Sequence, residues 1–271
     1  MMFKKTLLLL SLSLVYSGTV LAKPVDQQYS NWDALSKKYV HWLADQHQSR
    51  TDYAGLKTEH AQLKQVLAEF SSMTQAEFDQ LSQDQQKAFL INSYNAFTIE
   101  LILSKYPDLK SIKDLGSLLQ SPWKKEFFNL LGKPHNLDWI ENDMLRAHYK
   151  DPRIHVGINC ASIGCPALRN EAYTGARLDA QLDDGMLHFL SDTTRNRYRD
   201  GKLEVSEIFK WFSDDFEKGN KGYKKVNDVF ARYAAHLSPD ANTQAQIRNK
   251  SVPLTYLPYD WSLNDSTRAA R

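Results

Sequence analysis

The stretch from Gln83 to Lys105 constrains this chain more than any other. Drawn at 100° per residue, it places Ala88, Phe89, Ala96, Ile99, Ile102 and Leu103 on one face and Leu90, Tyr94, Phe97 and Leu101 over most of the other. Only Ser93, Glu100 and Ser104 mark a narrow polar strip. A helix that is apolar nearly all round has to lie inside a domain, covered on every side. Asn92 and Asn95 sit in the middle of the first face, on neighbouring turns. Burying an amide without partners costs roughly 1 to 3 kcal/mol, so each needs specific hydrogen bonds. Either the pair ties down a loop crossing the helix, or it lines or supports a site.

The elements around this helix follow no regular order. Helical periodicity and start signals predict helices over 30–45, 61–70, 138–146, 177–190, 226–235 and 240–249. Asp138 with Glu141 reads as a capping box, and Ser238-Pro239 as an N-cap followed by proline. Strand signals cover 127–131, 154–160, 252–257 and the pair 196–199 and 203–205, which flank Asp200-Gly201 as a hairpin. The expected fold is α+β: a helix-rich single domain around a central buried helix, with a small, mostly antiparallel sheet. At 42% hydrophobic and 24% charged residues, the chain has the composition of an ordinary globular protein, and 271 residues bury enough apolar surface to fold without staples.

Residues 1–22 have a different character. Lys4 and Lys5 precede an apolar run from Thr6 to Val15, and Val20-Leu21-Ala22 supplies small residues for cleavage, so a cleaved secretory signal is expected. The apolar run is about half the length of a membrane-spanning helix, and no cysteine follows Ala22 for lipid attachment. The protein is therefore expected to be periplasmic or secreted, with no stable membrane anchor after cleavage. Loss of Lys4 and Lys5 leaves 32 basic against 32 acidic side chains, which points away from nucleic acid as a partner.

Chemistry concentrates between Asp151 and Pro166. The run from Arg153 to Cys160 alternates, which as a strand sets Arg153, His155, Gly157 and Asn159 on one face and Ile154, Val156, Ile158 and Cys160 on the other. Gly157 would leave a notch between His155 and Asn159. An edge strand whose polar face meets water is the competing explanation.

Cys160 and Cys165 are the only cysteines. In an oxidising compartment a disulfide is the first expectation. Fully extended, their Cα atoms would stand roughly 16 Å apart, so a bridge needs a tight turn through Ala161-Ser162-Ile163-Gly164, with Gly164 able to supply a positive φ. Closing so short a ring contributes about 2 kcal/mol, a local effect. The alternative makes Cys165 a nucleophile, at the N-cap of a helix opened by Pro166, with His155 as its base and Asn92, Asn95 or Asn159 orienting or donating to an oxyanion. A redox pair is a third reading. Zinc held by His155, Cys160 and Cys165 lacks a fourth ligand, so no metal and no cofactor is expected.

Three segments carry a family resemblance: Phe89-Leu90-Ile91-Asn92-Ser93-Tyr94-Asn95-Ala96, Asp151 through Cys165-Pro166-Ala167-Leu168, and Tyr256-Leu257-Pro258-Tyr259-Asp260-Trp261-Ser262-Leu263-Asn264. In order and spacing they resemble the signature segments of the bacterial and plant family catalogued as domain of unknown function 547. Leu90 stands where the family usually has Trp, and Ala167 where it usually has a second Pro. The family is defined by sequence, so the resemblance implies no particular reaction. Similar plant domains follow coiled-coil segments, which implies an adaptor role there, but this chain has no heptad-rich segment.

The expected organisation is a signal at 1–22, an N-terminal helical segment packed on the core at 23–80, the family-like domain at 81–264 and a disordered tail at 265–271. Trp32, Trp42, Trp123, Trp139 and Trp211 read as core anchors, and Asp214, Asp215 and Glu217 as a solvated helix end. The functional expectation is a single polar site. In one reading it binds a ligand, a small molecule or peptide, or a protein, with Asn92, Asn95, Arg153 and Asn159 binding or supporting it beside a local Cys160–Cys165 bridge. In the other it is a thiol-dependent hydrolase or acyltransferase using Cys165, His155 and Cys160.

Overall fold

The computed structural model describes residues 25–117 and 119–267, so the signal expected at 1–22 lies outside the described residues. Helices α1 (Ser30–Tyr39), α2 (Tyr53–Thr58), α3 (His60–Ser72), α4 (Gln75–Asp79) and α5 (Gln83–Leu103) come first. Strands β1 (Val40–Trp42) and β2 (Ser49–Thr51) form a hairpin between α1 and α2. The helix predicted over 30–45 therefore stops at Tyr39, where β-branched Val40 pairs with Thr51 instead. Helix α5 starts on a capping box: the Ser82 hydroxyl accepts from Gln85 N–H at 3.3 Å, and the Gln85 side chain accepts from Ser82 N–H at 3.0 Å.

After α5 the chain forms a second hairpin, β3 (Phe128–Leu130) with β4 (Lys133–His135), and a π-helical segment, Trp139–Arg146. The capping box predicted at Asp138 is absent: the Asn136 side-chain Oδ1 accepts the Trp139 N–H at 2.8 Å in its place. Next come α6 (Ile154–Gly157), α7 (Leu178–Ser191), β5 (Arg197–Arg199), β6 (Lys202–Ser206), α8 (Ile208–Trp211), α9 (Ser213–Glu217), α10 (Val226–Arg232), α11 (Ala234–Leu237), α12 (Ala241–Arg248) and β7 (Leu254–Leu257). Asp240, not Ser238, caps α12, accepting from Thr243 N–H at 2.7 Å.

The fold is helix-rich α+β. Among the described residues the strands do not make one sheet but three small ones: two antiparallel hairpins and a mixed β5-β6-β7 sheet in which β7 runs parallel to β6. Asp200 and Gly201 turn the β5–β6 hairpin with φ of 50° and 74°, as a two-residue turn with positive φ at both positions requires.

Two packed cores meet along α6 and α7. The first surrounds α5, which is buried continuously from Ala88 to Ile99, and takes in Trp32 and Leu35 of α1, Leu63 and Phe70 of α3, and Leu178 and Leu182 at the start of α7. The second collects Met186, Phe189 and Leu190 from the end of α7 with Val205, Phe209, Phe216 and Phe230. The C-terminal segment then returns to the first core. Asp265, placed by the sequence in a disordered tail, is buried, pairs as a parallel bridge with Thr51 and accepts from the Tyr106 hydroxyl at 3.0 Å; residues 268–271 lie outside the described residues.

Candidate functional site

The segment predicted as a strand from Arg153 to Cys160 is a helical turn, Ile154–Gly157, followed by irregular chain at 158–160. Asp151-Pro152 starts it: the Asp151 side chain accepts Arg153 N–H at 3.1 Å, and the carbonyls of Asp151, Pro152 and Arg153 accept the N–H groups of Ile154, His155 and Val156. The alternation fails as a strand signal because residues 151–159 are buried whatever their polarity, each polar side chain having its own partner. No notch opens at Gly157. A Cβ there would stand 3.1 Å from Leu182 and 3.2 Å from Ile91, so the glycine lets α5, α6 and α7 approach one another.

The two amides of α5 hold loops. Asn92 donates to the Tyr173 carbonyl at 2.8 Å and accepts Tyr173 N–H at 2.9 Å. Asn95 donates to the Gly157 carbonyl at 2.9 Å and accepts Asn159 N–H at 2.8 Å. Asn159 passes the constraint on, donating to the Pro166 carbonyl and accepting Ala161 N–H, both at 2.8 Å. Thus Asn95 and Asn159 position the cysteine loop, whereas Asn92 anchors a different one. Arg153 is engaged by carboxylates: 2% exposed, it forms a two-bond fork with Asp151 at 2.8 and 2.9 Å and reaches Asp179 at 2.6 Å and Asp183 at 2.7 Å.

Cys160 and Cys165 form a disulfide with Cα atoms 6.3 Å apart. The positive φ of the turn belongs to Ala161, at 60°, not to Gly164. Gly164 is needed for room instead, since a Cβ there would fall 2.8 Å from the Tyr259 ring. No helix follows Pro166, so Cys165 is not at an N-cap. The loop pairs with the C-terminal segment: Ile163 N–H donates to Ser262 and Gly164 N–H to Asp260, each at 2.8 Å, and Asn264 N–H donates to Ala161 at 3.1 Å.

His155 and both cysteines line one cavity of about 260 Å³. Its walls are aromatic. Tyr259 and Trp261 lie 4.5 Å apart by ring centroid, Trp211 stacks on Trp261 at 5.8 Å, Trp123 meets Trp261 edge-on at 6.0 Å, and Tyr94 and Phe212 complete the lining. Trp211, read from sequence as core, is 43% exposed on this rim. The sulfurs touch hydroxyls: Tyr259 Oη is 3.2 Å from Cys160 Sγ and 3.1 Å from Cys165 Sγ, and Ser162 Oγ is 3.2 and 3.3 Å from the same atoms. Cys160 N–H also donates to Cys165 Sγ at 3.0 Å.

The imidazole is engaged elsewhere. His155 Nε2 bonds Asp215 Oδ2 at 2.8 Å while its ring stacks on Phe212 at 3.9 Å, and Arg146 Nε donates to the same carboxylate oxygen at 2.6 Å. Asp215 is therefore a buried part of the site's frame, not a solvated helix end. Burial lowers the His155 pKa against the pull of Asp215, keeping the ring neutral. Burial works to raise Asp215, yet the bonds from His155 and Arg146 hold its carboxyl well below the usual range. Among the described residues no hydrogen bond joins His155 to either sulfur.

Glu141 is the polar group that sequence reasoning missed. It lies in the π-helical segment with its carboxylate accepting from the Tyr94 hydroxyl at 3.2 Å; that oxygen in turn accepts from Trp123 Nε1 at 3.1 Å. Burial pushes Glu141 up to about 7, although Tyr94 and Arg146 both favour its charged form. The surface it retains faces the cavity. In an α-helix, positions 141 and 146 would point about 140° apart; π-type turns are a recurring feature of functional sites and bring such residues nearer one face. Tyr259 and Trp261 belong to the third signature segment, the one signal that could have marked them. Among the described residues no group of three or more His, Cys, Asp or Glu side chains could hold a metal ion.

A family model described as "Protein of unknown function, DUF547" matches residues 78–190. No curated protein and no solved structure matches the chain. The matched segment contains α5, the Glu141 segment, His155 and the disulfide, whereas Trp211, Asp215, Tyr259 and Trp261 come from beyond it. Residues 78–190, which carry the central helix and the cysteine loop, thus match the DUF547 family.

Proposed function

We propose that the protein binds a small organic cation in the aromatic cavity. One observation carries this reading: the lining combines the rings of Tyr94, Trp123, Trp211, Phe212, Tyr259 and Trp261 with two carboxyls, Asp138 and Glu141, and among the described residues no lysine or arginine lines it, although Lys113 already lies over Trp261 at 3.6 Å and Arg146 over Phe212 at 5.0 Å, which leaves Tyr94, Trp123, Trp211 and Tyr259 as the rings for a ligand. Aromatic faces attract a cation through the ring quadrupole, and a carboxylate in a desolvated pocket adds a charge-assisted hydrogen bond. The neutral His155 adds no opposing charge. A concave, largely apolar space with few polar groups is the usual form of a small-molecule site.

The thiol-hydrolase reading has less support. It needs a free Cys165 beside His155 as base, while the sulfur is bridged to Cys160 and the imidazole Nε2 is bonded to Asp215. The lysine-flanked apolar leader and the disulfide together support a protein working outside the cytoplasm, with cleavage after Ala22. Intact mass of the purified protein checks that cleavage.

The test of binding is titration with benzylamine and its neutral counterpart benzyl alcohol, followed by tryptophan fluorescence. Benzylamine should quench saturably, bind at least tenfold tighter than the alcohol, and tighten as pH rises through 7 and Glu141 loses its proton. Glu141→Gln and Trp211→Ala should each weaken it. Equal binding of amine and alcohol, or an affinity untouched by both substitutions, overturns the proposal.

A further inference from the structure

The surroundings of the two sulfurs suit a thiolate better than a structural bridge. Neither sulfur of a disulfide carries a proton, so the hydroxyls around it can only donate. Three groups surround Cys165 Sγ: Cys160 N–H at 3.0 Å, the Tyr259 hydroxyl at 3.1 Å and the Ser162 hydroxyl at 3.3 Å; the two hydroxyls also bond each other at 2.9 Å, so one donates to the other and the sulfur receives the N–H and one hydroxyl proton at a time. A disulfide sulfur is a weak acceptor and gains little from them, whereas a thiolate gains strongly from each charge-assisted bond. Tyr259 is suited to the role, since burial keeps its hydroxyl protonated far above neutral pH. Cys165 is buried at 4% exposure, while Cys160 is the more open of the two, and both line the cavity.

We propose that Cys160–Cys165 is a redox-active disulfide that oxidises a dithiol entering through the cavity, with Cys160 as the attacked sulfur and Cys165 as the leaving thiolate. The step balances as thiol–disulfide exchange. A thiolate of the incoming dithiol forms a bond to Cys160 Sγ, the Cys160–Cys165 bond breaks, and its electron pair leaves on Cys165 Sγ. The second thiol of the same molecule, having lost its proton to solvent, attacks its own sulfur in the mixed disulfide and displaces Cys160, which takes a proton. The dithiol has then lost two electrons and two protons, and the protein holds a reduced pair. A leaving thiol with a low pKa departs faster, which selects Cys160 as the point of attack. This goes beyond the cation-binding reading, uses different atoms of the same cavity, and stands or falls separately from it.

The test is equilibration of the full-length folded protein with graded ratios of reduced to oxidised dithiothreitol, scored by thiol alkylation and intact mass. The reference is a synthetic peptide spanning residues 159–166. A bridge that serves the fold is harder to reduce in the native protein than in the peptide, because folding and bridging favour each other; a bridge in a thiolate-stabilising site is easier. The native midpoint should lie at a dithiothreitol ratio at least tenfold lower than the peptide's. Tyr259→Phe and Ser162→Ala should each move it back by about tenfold, which corresponds to roughly 30 mV for a two-electron couple. Circular dichroism of both variants confirms that they fold, and the wild-type comparison needs neither. A native bridge harder to reduce than the peptide's, or a midpoint unmoved by both substitutions, overturns the assignment.

Discussion

The amide pair of α5 separates positioning from stability in one experiment. Asn92 and Asn95 are both buried, at 0% and 2% exposure, and each exchanges two hydrogen bonds with the backbone of a loop. Truncation to alanine removes two bonds at either position and strands two backbone groups, an N–H and a C=O, in a dry interior. Each stranded group costs about 1 to 3 kcal/mol, so either variant should lose roughly 2 to 5 kcal/mol, allowing for partial relaxation. The two differ in what they release. Asn92 lets go of Tyr173, away from the cavity lining, whereas Asn95 lets go of Gly157 and Asn159, and with them the amide that holds Ala161 and Pro166. Urea unfolding followed by circular dichroism should therefore show similar losses for Asn92→Ala and Asn95→Ala, with unchanged m-values. Benzylamine affinity and the dithiothreitol midpoint, measured at low urea where both remain folded, should shift in Asn95→Ala only. A loss below 1 kcal/mol in both variants, or a site disturbed equally by both, refutes the reasoning.

Glu141 makes stability depend on pH in an unusual direction. Its pKa rises on folding from the ordinary 4.5 to about 7, so the native state binds more protons between those values, and stability from this group falls as pH rises through 7. At about 1.4 kcal/mol per pH unit the span contributes on the order of 3 kcal/mol. His155, lowered by burial, acts oppositely, losing stability as pH falls below its ordinary 6.5, so only the wild type minus Glu141→Gln isolates the carboxyl; a flat difference between pH 4.5 and 7.5 in urea melts defeats the assignment. Gly164→Ala should cost about 1 to 3 kcal/mol by driving a methyl into the Tyr259 ring, and should move the near-ultraviolet dichroism of the aromatic wall; wild-type stability would show that the ring is free to withdraw.

The central helix was legible because its signal is local: an apolar surface all round admits only a buried position, and a buried amide must find partners. What those partners are is not local. Asn95 reaches residues 62 and 64 positions further on, and nothing in the α5 sequence distinguishes it from Asn92, which reaches 81 positions to Tyr173. The segment 153–160 misled for a related reason. Alternation reports a strand only when one face meets water, and here Asp179, Asp183 and Asp215 arrive from later in the chain to satisfy the polar side chains. Glu141 was hidden twice, first by looking like a capping residue and then by a π-type turn that periodicity at 3.6 residues does not represent. Tyr259 and Trp261 were visible as part of a resemblance, but without a partner surface they carried no role.

The cysteine loop itself bears on what its bridge is for. Five hydrogen bonds already fix its backbone: Ala161 N–H to Asn159, the Asn159 amide to Pro166, Ile163 N–H to Ser262, Gly164 N–H to Asp260 and Asn264 N–H to Ala161. At about 1 kcal/mol net apiece they contribute roughly 5 kcal/mol, against about 2 kcal/mol for closing so small a ring. The partners are themselves anchored. Asn264 accepts from the buried Tyr53 hydroxyl at 2.7 Å and donates to Asn159 at 3.3 Å, while Arg195, paired with Asp192, holds the Cys165 carbonyl. On the redox proposal a loop so supported should keep its shape when the sulfurs separate, leaving Cys165 beside Cys160 N–H and the Tyr259–Ser162 hydroxyl pair. The bridge thus contributes less than the loop's hydrogen bonds taken together, and it is the one constraint that can be made and broken by chemistry, at the wall of a cavity.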